Sequence, residues 1–304
     1  MPATLAERDD LRHDIGTDPD ARESKVFNVL LPDEGIFVIG YFTMKATTET
    51  TRILIVLETD AAPVVDIAPD QPFEGADLDD FTVAGMHVTQ PERSRSMTVA
   101  YTGDRIGLDY RFDAIHEPFS FDRNADGVAP VAATNRFEQA GRIAGTVTFD
   151  GREIPFDTTG HRDHSWGVRD YDSILHWKWI SAQAGPETAI HAMHIWYQGR
   201  QYTNGYVFLD GLLSPIVDLK VRATYDDQVV QRTGDFTILD EAGRTTTAHA
   251  DYFAGAPVPL GNVVMVEAGC RFSIAGRDGV GVFEQGWQPA YYEHLRSGRY
   301  APEL

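Results

Sequence analysis

Apolar residues in this chain gather in short runs closed by turn residues and almost nowhere recur at helical spacing. Val26–Leu31 is followed by Pro32-Asp33-Glu34-Gly35 and then by Ile36–Phe42, and similar runs occupy Thr51–Glu58, Met86–Val88, Ser96–Tyr101 and Ile106–Phe112. Their length and their β-branched and aromatic content predict strands. Asp150-Gly151, between Gly145–Phe149 and Glu153–Phe156, predicts a hairpin. Further strands are expected over Leu175–Ser181, Ala189–Tyr197, Tyr202–Leu209, Ile216–Tyr225, Asp235–Leu239, Val263–Ile274 and Val280–Gln285. Helix is expected only in short pieces, around Leu5–Leu11 and Pro289–Arg296. Many short strands at even spacing point to sandwiches or barrels, not to an alternating α/β sheet. The pattern fits an all-β chain of two units joined near residues 155–175, behind a polar arm over residues 1–24.

Charge narrows the partners. The 304 residues carry 26 Lys and Arg against 46 Asp and Glu, a formal net charge of −20. Such a surface repels phosphate backbones, so nucleic acid and anionic membranes are poor partners. Cys270 is the one cysteine, which excludes an intrachain disulfide and a thiolate metal cluster. Its apolar setting, Val264–Phe272, predicts an inert buried thiol. The first 22 residues lack the apolar core of a signal peptide, and no run is long enough to span a bilayer, so a cytoplasmic location is expected.

Chemistry concentrates in Gly160-His161-Arg162-Asp163-His164-Ser165-Trp166-Gly167-Val168-Arg169-Asp170. On an extended chain His161, Asp163 and Ser165 share one face while Arg162, His164 and Trp166 share the other. Gly167 permits a bulge or the close approach of another backbone. A carboxylate, an imidazole and an indole in one cavity would make a proton-transfer site. The same residues would equally make an ion-pair network pinning two β units together, and the residues alone leave both readings open. His161, Asp163 and His164 are of metal-ligand type, but neighbours on alternating faces converge poorly on one ion. Asp163-x-Ser165-x-Gly167 lacks the first glycine of a hydrolase nucleophile elbow.

The strands that follow alternate in an unusual way. Trp177 and Trp179 share a face, as do His191, Met193 and Tyr197, then Ala192, His194 and Trp196, and then Tyr202, Asn204, Tyr206 and Phe208. Aromatic and polar side chains on one face predict a barrel interior lined as a ligand cavity, with an aromatic ladder between sheets as the alternative. Glu138 and Glu284 lie among apolar neighbours in expected strands, where a carboxylate must find a partner or face water.

Asp163-His164-Ser165-Trp166-Gly167, after a hairpin and before Trp177-x-Trp179, resembles the carotenoid 1,2-hydratase and AttH-like superfamily, in its uncharacterised bacterial branch. That superfamily includes hydroxyneurosporene synthase, kievitone hydratase and fungal intramolecular Diels-Alderases. Phe137-Glu138-Gln139 and Gly281-x-x-Glu284 extend the likeness over most of residues 25–290. The resemblance implies two consecutive lipocalin-like or β-sandwich-barrel domains, divided here as 25–165 and 166–304, with a hydrophobic small-molecule substrate near their junction. It implies neither a metal nor an organic cofactor, and a monomer or homodimer is expected. Asp163 or His164 would be the general acid, His191 or His194 would handle water, and Glu138 would hold the catalytic group. Trp166, Trp177, Trp179, Tyr197, Tyr206, Glu284 and Trp287 would contact substrate, and His161, Arg162, Arg169 and Asp170 would form the clasp. The reaction implied is hydration, dehydration or a double-bond shift on a terpenoid, steroid or aromatic. A cyclase or a carrier of a hydrophobic ligand is the alternative.

Overall fold

The computed structural model describes residues 5–45 and 49–298. Two antiparallel sheets account for most of them. The first holds β1 (Ala21–Leu31), β2 (Ile36–Lys45), β3 (Glu49–Glu58), β4 (Val64–Pro72), β5 (Glu74–Asp77) and β6 (Asp80–Val83). It continues with β7 (Met86–Glu92), β8 (Ser96–Thr102), β9 (Ile106–Ala114), β10 (Phe119–Ser120), β11 (Asn135–Phe149) and β12 (Arg152–Val168). The strand order is β4-β3-β2-β1-β12-β11-β9-β8-β7-β6-β5, with β10 beside β11, and the sheet curls into a nearly closed barrel.

The second sheet is a closed eight-stranded barrel in sequential order. Its strands are β13 (Ile174–Gln183), β14 (Thr188–Tyr197), β15 (Arg200–Leu209), β16 (Leu212–Tyr225), β17 (Gln231–Asp240), β18 (Thr245–Leu260), β19 (Val263–Ile274) and β20 (Arg277–Trp287). One helix, α1 (Pro289–Arg296), follows with proline in its first turn, where a missing N–H costs nothing. The architecture is therefore the all-β, two-barrel arrangement expected. The change of sheet falls after Val168, so β12 carries nearly the whole His161–Asp170 segment as one strand of the first sheet.

Three apolar cores explain why several strands read as unbroken apolar runs. Val38 and Val56 pack inside the first sheet, whereas their neighbours Ile39 and Ile55 point outward. Ile180 and Ala192 fill the closed barrel, whereas Trp179 and Met193 point out of it. The outward side chains of both bodies meet in one shared seam. Strands buried on both faces lose the polar half of the alternation.

One expectation changes here. The closed barrel is filled with aliphatic and aromatic side chains, so the row of Trp177, Trp179 and Tyr206 faces the seam and not the lumen. The N-terminal segment packs down on the sheet: a short 3₁₀ turn covers Glu7–Asp10, β1 begins at Ala21, and Asp10 is 1% exposed.

Candidate functional site

The strand β12 runs between β1 and β11, and its alternation sends two sets of polar side chains in opposite directions. Arg162, His164 and Trp166 turn toward the N-terminal segment. Arg162 donates to both oxygens of Asp10, at 2.9 and 2.7 Å, and Lys25 Nζ donates to the same carboxylate at 2.8 Å. His164 Nε2 lies 2.7 Å from Glu23 Oε1, His13 shares that carboxylate, and the His13 ring stacks on Trp166 at 3.6 Å between centroids. Burial alone would raise the Asp10 pKa, but Arg162 and Lys25 outweigh it and hold the carboxyl well below its ordinary range. Burial and the Lys25 charge push His164 down to about 4, so it is neutral at physiological pH. The set is an ion-pair lock that fastens the N-terminal segment to the sheet.

His161, Asp163 and Ser165 turn the other way, toward the seam. Here a cavity of about 360 Å³ lies between the outer wall of the closed barrel and the first sheet. Ile39, Ile55, Trp177, Trp179, Met193 and Ile195 supply much of its apolar wall. Its ionisable lining comprises Arg22, Arg136 and Arg169, the carboxyls of Asp163, Glu267 and Glu284, and the phenols of Tyr41 and Tyr171. That volume suits a small organic ligand.

Arg136 is the centre of the charge network. Its Nε donates to Glu138 Oε1 at 2.5 Å and its Nη2 donates to Asp163, whose other oxygen accepts from the Val26 N–H at 2.9 Å. Glu138 also accepts from Trp179 Nε1 at 3.1 Å and lies 2.6 Å from His161 Nε2. Burial opposes ionisation of Glu138, but Arg136 and the two imidazoles of His191 and His161 prevail and bring it down to about 2. Asp163 shares the same guanidinium with an already ionised neighbour. Burial dominates there, Arg136 only partly offsets it, Glu138 adds repulsion, and the pKa rises to about 6.

Glu284 and Glu267 form a second, unneutralised pair. β19 and β20 pair up to Val266↔Gln285 and again from Gly269↔Val282, and the ladder lapses between, where Glu267 and Glu284 sit at opposite positions. Trp177 Nε1 donates to Glu284 Oε1 at 2.6 Å. Burial and then the charge of Glu284 push Glu267 far above its ordinary pKa. Burial lifts Glu284 to about 7 against the pull of the Trp177 hydrogen bond and Arg136. Two buried carboxyls side by side cannot both ionise, so the pair retains a proton at neutral pH.

The other expected site residues fall in several places. His164 and Trp166, expected as general acid and substrate contact, belong to the lock and are not among the residues lining the 360 Å³ cavity. His194 points away from the seam, 3.2 Å from Gln201 Nε2, and burial pushes it down to about 4. Trp287 packs with Tyr292 and Leu295 of α1, remote from the cavity wall, because the side-chain parity of β20 puts Glu284 in the seam and Trp287 on the other face. Tyr206 is fully buried in the seam with its hydroxyl 3.0 Å from His116 Nε2. His191 stacks on His161 beside Glu138, and Tyr197 packs at the seam edge; neither reaches the cavity wall. Of the expected clasp, His161 does bridge the two bodies through Glu138 and Trp179. Arg162 holds the N-terminal segment instead, Asp170 caps the turn at Tyr171–Ser173, and Arg169 stands in the cavity wall. Gly167 has φ +122°, and a Cβ there would meet the Thr134 nitrogen at 2.3 Å, the close backbone approach its sequence position implied.

Glu267, Arg136, Tyr41 and Tyr171 were not singled out from sequence. For Glu267 a signal existed, a single charged residue in the otherwise apolar Val263–Cys270. Glu138, His161 and His191 offer ligand atoms within 4.8 Å of one another. Glu138 already accepts from a guanidinium and an indole, however, and a cation there would sit against Arg136, so the donor set suits a metal poorly.

A family model described as a domain of unknown function matches residues 6–289. No curated protein matches the chain by sequence. Among solved structures, a candidate AttH from Nitrosomonas europaea is similar with a TM-score of 0.58 and 14% identity, over 89% of this chain and 93% of that one. CghA is similar with a TM-score of 0.62 and 14% identity, over 88% of each chain. At this identity the likeness concerns the fold alone.

Proposed function

The chain belongs to the DUF7064 family, and we propose that it is an acid–base lyase or isomerase acting on a hydrophobic terpenoid, steroid or aromatic small molecule. The observation that carries this reading is the Glu267–Glu284 pair, a proton-retaining couple in the wall of an apolar cavity of about 360 Å³. A group near neutrality is suited both to give and to take a proton. Glu284 donates to an alkene carbon or a leaving hydroxyl. Asp163, raised to about 6 and so ionised above that pH, is the base on the opposite wall. Trp177 and Trp179 face the same space and stabilise developing positive charge, at about 0.5–2 kcal/mol each. Glu138 and Arg136 act as positioning residues that keep Asp163 in place.

Native mass spectrometry of the purified protein identifies a retained ligand, which is then offered to the wild type and to Glu284→Gln. Loss of turnover by at least about 100-fold with an intact fold supports the reading. Full activity in both Glu284→Gln and Asp163→Asn overturns it, and would favour a cyclase that only folds its substrate. A ligand bound and released without chemical change would favour a carrier.

A further inference from the structure

Arg169, Tyr41 and Tyr171 form a polar corner of the cavity wall that the acid–base reading does not use. Arg169 is 5% exposed, yet every hydrogen-bond partner it has is neutral. Its Nη2 donates to Ser24 Oγ at 2.6 Å, and to Ser165 Oγ at 2.8 Å and the Ser165 carbonyl at 3.1 Å. Its Nη1 donates to the hydroxyls of Tyr41 at 3.3 Å and Tyr171 at 3.2 Å, while Nε has no partner. A buried guanidinium hydrogen-bonded to no carboxylate is costly unless something else supplies negative charge at its donors.

The phenols show where that charge belongs. Each accepts from Arg169, so each keeps its own O–H to donate, and both side chains line the cavity. An acceptor polarised by a cation becomes a stronger donor. Two such donors against one apolar space have the geometry of a site for a carbonyl or enolate oxygen. The remaining walls fit this, since Asp163 lies two residues from Ser165 on β12 and feels the Arg169 charge.

Resting on the acid–base reading above, we infer that Tyr41 and Tyr171, backed by Arg169, bind the oxygen of a carbonyl-bearing substrate and that the reaction passes through its enolate. A carboxylate takes the proton from the carbon beside the carbonyl. The C–H pair becomes the new C=C bond, and the C=O π pair moves to the oxygen held by the two phenols. In a β,γ-unsaturated substrate this intermediate is a dienolate. The pair on oxygen then re-forms C=O, the pair of the new C=C bond shifts to make Cα=Cβ, and the old Cβ=Cγ pair takes a proton at Cγ from the opposite acid. This completes a double-bond shift with no other reactant.

The test uses para-nitrophenol as an oxyanion probe and nitrobenzene as the same body without the oxygen. The wild type is expected to bind para-nitrophenol at least about 10-fold more tightly, because a hydrogen bond to a charged group contributes about 1.5–3 kcal/mol. The bound probe should show the phenolate absorbance at a pH where the free probe is neutral. Tyr41→Phe and Tyr171→Phe should each weaken the preference by about 10-fold or reduce it to parity, and the double variant should abolish the phenolate band. Equal binding of the two probes by the wild type, or a preference that survives in the double variant, overturns the inference. Binding of neither probe overturns it together with the reading of the cavity as a ligand site. A strong phenolate preference with Glu284→Gln and Asp163→Asn both fully active would instead keep this oxygen site and sink the acid–base reading alone.

Discussion

Replacing Glu284 by glutamine should make the protein more stable at alkaline pH while removing its activity. Glutamine keeps the size and the capacity to accept the Trp177 N–H, but it cannot ionise. The unfolded glutamate loses its proton around the ordinary value of 4.5, whereas the folded one holds it until about 7. Between those values the native state binds more protons than the unfolded state, so this group's contribution to stability declines as pH rises, down to a plateau above about 7. A difference of this size corresponds to about 2–3 kcal/mol once partial access to the cavity is allowed for. Urea unfolding of wild type and variant at pH 4.5 and pH 8 reads the effect, together with the relief that Glu267 gains once the neighbouring charge is gone. The stability gap should be close to zero at the lower pH and favour the variant by about 2–3 kcal/mol at the higher one. A variant that is less stable at pH 8, or a gap that does not change with pH, would refute the reasoning. Greater stability coupled to lost function is what a strained functional group produces.

Acid should act through a different set of groups. Burial, the leading cause in each case, lowers His116, His164 and His194 to about 4 and His176 and His191 to about 3. Their unfolded forms bind protons first, so stability should fall as pH drops from about 6.5 toward 4; a flat stability profile there, by urea unfolding, would contradict this. Asp10→Asn leaves Lys25 and Arg162 buried against a neutral group and should cost about 3–5 kcal/mol, with protease nicking of the N-terminal segment as a second readout. A loss under about 1 kcal/mol would mean that this lock is dispensable. Gly167→Ala forces a Cβ toward the Thr134 backbone from a φ of +122° and should destabilise by about 2 kcal/mol or more in thermal unfolding.

Strands were legible in sequence wherever both faces are buried, because Ile36–Phe42 and Thr51–Glu58 serve an inner core and the seam at once. The strand β4 was not: Val65 and Ile67 are exposed, and prolines and aspartates make the segment read as loop. The strand β18 hides similarly behind Thr, Ala, Gly and Pro. At the site, period-two alternation separated His161, Asp163 and Ser165 from Arg162, His164 and Trp166 correctly, since one backbone parity fixes both sets. Alternation cannot say which face meets the second body, and that choice places His164 and Trp166 in the lock and not in the cavity wall. Glu267 meets Glu284 only because β19 and β20 are neighbours, and Tyr41 meets Arg169 from β2, far away in sequence. Pairings of this kind come from topology, not from local pattern.

Acid–base chemistry in this cavity requires a carboxyl pair that keeps a proton at neutral pH. Infrared difference spectroscopy at pH 7 reads this directly, through the C=O stretch of a protonated carboxylic acid and its shift in D₂O. The wild type should show that band, and Glu267→Gln and Glu284→Gln should each remove or displace it. A wild-type spectrum with only ionised carboxylates, or a band that both variants leave untouched, would contradict the central claim.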